Sequence, residues 1–234
     1  AIKIACDLID EGMITEQEAL MQIDAKSLDM LLHPTFDAKD LKAAEYVRAD
    51  LELIFQGETQ EAKEFLDASS SDLKKVYENG IQSFVENYLI IDTDEESGNI
   101  SAYSYYVEEI FRTMKYQVGE AVEKDKDTYE VTVTYQPADV FVWFTEKLQE
   151  ESAKIQQKQE EGQYTGTEEE QKQAMLEEYV TASYELLGES YSQMQYKEAE
   201  EFTFTVTRSE KNQPQMSENE INQFIVQILL LDKL

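Results

Sequence analysis

Twice along this chain the hydrophobic period drops from 3.6 residues to 2. In TYEVTVTY, Tyr129, Val131, Val133 and Tyr135 point one way and Glu130, Thr132 and Thr134 the other. In EEFTFTVTR, Phe202, Phe204 and Val206 alternate with Thr203, Thr205 and Thr207. β-Branched and aromatic residues alternating with polar ones mark a half-buried strand. Each such stretch follows a helical pattern, ends near a Gln-Pro pair (Gln136-Pro137 and Gln213-Pro214) and leads into another helix. The spacing predicts a helix-rich α+β fold with a duplicated helix–strand–helix unit whose strands share a small antiparallel sheet.

The rest reads as helix. In AAEYVRADLELIFQG, Val47, Leu51, Ile54 and Phe55 share one side and Gly57 closes the helix. SSSDLKKVYENGIQSFVENYLI gives one or two more, capped by Ser70 or Ser71. DTDEESGN breaks the pattern, and SAYSYYVEEIFRTMKYQV resumes it, so Tyr116 is expected on a helix. VFVWFTEKLQEE is expected to be a helix with Asp139 as its cap and to bury Trp143. Gln149 to Gln173 reads as an exposed hairpin between helices, with Thr167 and Glu170 forming a capping box. Ser217 and Glu220 are expected to cap INQFIVQILLL. Residues 1–45 read as an N-terminal segment of short helices, stopped at Pro34.

With 50 acidic and 20 basic residues, the formal charge is −30. That excludes nucleic acid as a partner, whose binding rests on Lys and Arg. It also disfavours an anionic membrane surface. No apolar run approaches the roughly 20 residues of a membrane span. Cys6 is the single cysteine, expected as a small buried hydrophobe, so an internal disulfide cannot form. No signal peptide is visible, and a first residue of Ala1 suggests a fragment or a processed product.

Candidate chemistry is sparse. His33, the sole histidine, stands beside Leu31, Leu32, Pro34 and Phe36, without the carboxylate or further ligands that catalysis or metal binding needs. Asp92, Asp94 and Glu96 alternate as in a calcium loop, but Ser97 takes the place of the required glycine and Gly98 comes one residue late. A solvated turn is therefore expected. No phosphate-binding glycine loop, nucleophile elbow, HExxH or CxxC occurs. Neither a cofactor nor a catalytic residue is expected. Among the 14 tyrosines, Tyr103, Tyr105, Tyr106 and Tyr116 could line a groove for a sugar or an extended peptide, though such spacing also suits a core rim.

The segment IKIACDLIDEGMITEQEALMQIDAKSLDMLLHPTFDAKDLKAA resembles pyruvate, phosphate dikinase, through KIA-x-D, EG-x-IT-x-x-EAL and above all LD-x-LLHPTFD. The resemblance implies a helical connector, placed between an ATP-grasp domain and a phosphohistidine domain. The family's Gly-Gly-x-Thr-Ser-His-Ala type motif has no counterpart here, so no catalytic role is carried over and His33 reads as scaffold. The remainder resembles uncharacterised lipoproteins of gut Firmicutes, on AAEYVRADLELIFQGETQEAKEFL, YENGI and TYEVTVTYQPADVF. That resemblance implies tethering outside the membrane through a lipidated cysteine, which this sequence lacks at the expected place. FDAK-x-LKAAE is a plausible seam between the two.

Together these readings predict a dikinase-like helical segment, 1–45, and an α+β domain, 46–234. The expected role is non-enzymatic and extracytoplasmic, binding an unknown small molecule, peptide or protein. Membrane association would come only through an upstream lipid anchor. The alternative is a cytoplasmic fragment or fusion of the dikinase that lacks its catalytic residues.

Overall fold

The structure is a computed structural model describing residues 41–66, 68–89, 96–209 and 213–234. His33, Cys6, Asp92, Asp94 and nearly all of the dikinase-like segment lie outside the described residues. The unit described below runs from Lys42 to Leu234.

β2, Thr128–Gln136, organises the fold. It pairs antiparallel with β1, Lys115–Asp125, on one side and β3, Glu200–Arg208, on the other. A short β4, Pro214–Gln215, adds to β3, so the sheet order is β1-β2-β3-β4. Val131 faces Phe204 and Val133 faces Phe202 across the β2–β3 register. Tyr129, Val131, Val133, Tyr135, Phe204 and Val206 are buried, whereas Thr134 and Thr203 are exposed. The two alternating stretches thus form the paired centre of a sheet with one buried and one solvated face. A helix precedes and another follows each of them, as the repeated pattern predicts.

Seven α-helices accompany the sheet among the described residues. α1, Ala43–Gln56, buries Val47, Leu51 and Phe55 against β1 and β2. Gly57 ends it in the left-handed region at φ 71°, its N–H returning to Leu53 O and that of Glu58 to Glu52 O. This left-handed stop favours glycine. After the single turn α2, Ala62–Phe65, comes α3, Ser70–Tyr88. Ser69, rather than Ser70 or Ser71, caps α3 by accepting from Asp72 N at 3.2 Å. α4, Glu96–Arg112, packs on α1, α3 and α6.

Between β2 and β3 lie α5, Val140–Glu160, and α6, Glu168–Gln193, which form an antiparallel helical hairpin. The Thr167–Glu170 capping box is present at the start of α6. α7, Glu218–Ile228, closes the fold. Its Phe224 ring lies 5.2 Å from Tyr135, 5.3 Å from Phe204, 5.5 Å from Phe202 and 6.2 Å from Phe55. One aromatic side chain therefore joins α1, α7 and both central strands.

Further local expectations fail. The tyrosine-rich helix stops at Arg112, and Tyr116 belongs to β1, where Tyr116 and Val118 face inward opposite Tyr135 and Val133. The polar stretch ending at Asn99 is not wholly a break, because α4 begins at Glu96. Trp143 is half-buried, because Val140, Phe141 and Phe144 take the core side of α5. Glu220 does not complete a capping box: it accepts from Thr205 N at 3.1 Å and from Thr205 Oγ1 at 3.0 Å, satisfying the edge of β3 beyond β4.

Candidate functional site

A cleft of about 650 Å³ opens between the end of α1, the start of α3 and the last turn of α4. Ligand pockets commonly span ~300–1,000 Å³. Gln56, Gly57 and Thr59 form one wall, Ser70, Ser71 and Lys74 a second, and Glu108 and Arg112 a third, with Tyr77 and Glu78 between. The local sequence explains this convergence. Gly57 reverses the chain after α1, and Ser69 starts α3 beside that turn. Lys74 and Tyr77 lie on successive turns of α3, as do Glu108 and Arg112 on α4.

Four charges line the cleft and balance. Lys74 Nζ stands 3.5 Å from Glu78 Oε1. Arg112 contacts Glu108 at 3.2 Å and, just outside the lining, Glu109 at 2.7 Å. Tyr77 is 9% exposed, and its hydroxyl is buried beside the Arg112 guanidinium. Burial, reinforced by Glu108, raises the Tyr77 pKa against the opposing pull of Arg112, so the phenol keeps its proton. Its ring crosses Gly57 so closely that a Cβ there would sit 2.9 Å from Tyr77 Cε1.

A second cleft, about 480 Å³, is lined by Val142, Trp143 and Leu230 with Asp139, Glu146, Lys197 and Lys233. Asp139 heads α5 without capping it; its carboxylate accepts from Gln195 N at 2.8 Å and Lys197 Nζ at 2.6 Å. Leu230 adopts φ 52°, a left-handed conformation uncommon for leucine.

Of the four predicted groove tyrosines, three sit together and one does not join them. Tyr103 is buried and donates to Ser183 Oγ at 2.9 Å. Tyr106 lies 5.1 Å from Tyr184 and 5.6 Å from the exposed Tyr105, with its hydroxyl over Gly188. Tyr116 lies on β1 at 5.5 Å from Phe55, and burial raises its pKa to about 12. Tyr77 had no distinguishing signal in the sequence, because its role depends on Gly57 and Arg112, remote along the chain. Among the described residues no group of three or more His, Cys, Asp or Glu side chains could hold a metal ion. No helix among them is long and apolar enough to cross a membrane.

The described unit is thus a helix-rich α+β domain around a four-stranded antiparallel sheet. Its fold is similar to that of a crystal structure described as a "putative lipoprotein" from Bacillus subtilis, with a TM-score of 0.57 and 13% identity over 88% of this chain and 61% of that one. A separate fragment resembles pyruvate, phosphate dikinase. It is 63% identical over 51 residues to the Clostridium symbiosum enzyme and 57% over 37 residues to the Rhizobium meliloti enzyme. Those stretches are 22% and 16% of this chain, but they span only 6% and 4% of the two dikinases. No family model matches the chain.

Proposed function

We propose that the α+β domain is a non-enzymatic, extracytoplasmic ligand-binding domain associated with the cell envelope. The observation carrying this reading is the α1–α3–α4 cleft, about 650 Å³ in volume and lined by polar and charged side chains from three helices. The fold shared with a protein described as a lipoprotein supports the location. The test combines fractionation of the source cells with a thermal-shift screen against small polar molecules. Envelope localisation and ligand-dependent stabilisation are expected. A cytoplasmic chain that no compound stabilises would overturn the reading.

The second reading is a fragment or fusion of the dikinase, favoured by the 63% identity over 51 residues. Its whole-protein activity would require parts that the matched fragment does not cover. Intact-mass analysis of the chain from its source cells, with peptides across Leu32–Arg48, would favour it by recovering one continuous cytoplasmic polypeptide that carries an ATP-grasp domain.

A further inference from the structure

We propose that the tyrosine face of α4 and α6 is a docking surface for a cationic, arginine- or lysine-bearing segment of a partner protein. Its rings line neither cleft described above, so the surface goes beyond the ligand-binding reading and does not depend on it.

The patch is contiguous and open to solvent. Tyr105 is 62% exposed, Tyr191 40% and Tyr184 38%. The rings of Tyr105, Tyr106 and Tyr184 follow one another at 5.6 and 5.1 Å, and the buried Tyr103 holds Tyr184 edge-on at 6.1 Å. Tyr184, Gly188 and Tyr191 fall at i, i+4 and i+7, one face of α6. Gly188 lies inside the helix, where glycine is weaker than alanine. A Cβ there would sit 2.8 Å from the Tyr106 hydroxyl oxygen, so the glycine leaves room for that ring. The core side of α6 is already taken by Ser183, Leu187 and Ser190. An exposed aromatic residue is ordinary when single, whereas a contiguous exposed set marks an interaction surface.

Charge selects the partner. α4 carries no Lys or Arg before Arg112, and α6 none after Lys172. Glu185 and Glu189 flank the α6 tyrosines, exposed and without an ion pair among the described residues. Phenol faces attract cations, and guanidinium groups also stack on them. Negative side chains beside those faces strengthen the attraction and repel an anionic partner. A second copy of this chain, itself at −30, is repelled as well. The rings pack on one another and enclose no cavity of their own, which suits an extended segment better than a small ligand.

The test titrates the full chain, by fluorescence anisotropy at physiological salt, with a labelled peptide of alternating arginine and glycine. Peptides carrying lysine, serine or glutamate in place of arginine serve as comparisons, together with maltohexaose as a neutral glycan. The arginine peptide should bind most tightly, and the serine and glutamate peptides should not bind. Tyr105→Ser should weaken binding about two- to fivefold while leaving the unfolding midpoint unchanged, and adding Tyr184→Ser should bring the loss to about tenfold. Glu185→Gln with Glu189→Gln should weaken it more than Glu120→Gln with Glu123→Gln, which removes the same charge from exposed positions on β1. Affinity that follows total charge alone, equal in both glutamine pairs and untouched by Tyr105→Ser, would overturn the surface. So would failure of the arginine peptide to bind. Maltohexaose binding that Tyr105→Ser weakens would overturn the cationic partner in favour of a glycan.

Discussion

Asp50 carries the clearest single-residue cost in the domain. It sits on α1 with Oδ2 buried and unpartnered. Burial raises its pKa from 3.8 to about 6. A carboxyl whose folded pKa is raised penalises the folded state once ionised. The penalty is absent below pH ~4 and complete above pH ~6. Asp50→Asn should therefore stabilise the protein at pH 7, by up to about 3 kcal/mol, and by almost nothing at pH 4. Urea unfolding of both proteins at the two pH values checks this, and an equal difference at both would refute it. Gly57 makes the opposite case. Its φ of 71° and the Tyr77 ring 2.9 Å from a Cβ both oppose substitution. Gly57→Ala should cost about 2 kcal/mol or more in urea unfolding. The helix stop at Gly57 is legible from the end of the apolar period. The reason that Tyr77 needs this glycine is not, since 20 residues separate them and only the meeting of α1 and α3 brings them together.

The elements differ in how openly the sequence declares them. β2 and β3 are readable because both bury one face and wet the other, so hydrophobicity follows the pleat. β1 escapes that test. Only Tyr116 and Val118 follow it before the bulge at Gly119 and Glu120, and from Glu120 onward the strand is exposed. A strand with nothing to bury leaves no period to read. α7 was readable as a helix, but its two decisive contacts were not. Phe224 meets four aromatic rings, so Phe224→Ala should cost about 3–5 kcal/mol, measured by chemical unfolding. Glu220 closes the β3 edge through Thr205. Glu220→Ala should cost about 1–2 kcal/mol, and Thr205 amide exchange should quicken. An unchanged exchange rate at Thr205 would rule out that role. Ser217 illustrates the limit of local reading: the cap itself was visible, whereas the partner of Glu220 lies across the sheet.

At the scale of the whole molecule, charge and connectivity dominate. A net charge of −30 repels itself, while exposed ion pairs such as Lys154–Glu151 contribute only about 0–1 kcal/mol each. Screening should therefore relieve more repulsion than the attraction it removes. The midpoint of thermal unfolding should rise between low salt and half-molar sodium chloride, and a fall would show that ion-pair attraction prevails. The fold class was legible because it depends on period. The cleft was not, because it forms where three helices meet and its lining residues are ordinary in their own segments. The insertion of α5 and α6 also sets a timetable. β1 and β2 join across a tight turn, but Tyr135 reaches Glu200 across 65 residues of chain. Closing so long a loop is entropically slow unless something shortens it. The antiparallel α5–α6 pair does so, returning the chain to where it left, with Asp139 N bonded to Gln195 O. The helical hairpin should then act as a folding clamp that speeds zipping of the central strands, so weakening the α5–α6 seam should slow refolding while leaving the β1–β2 turn free to form early.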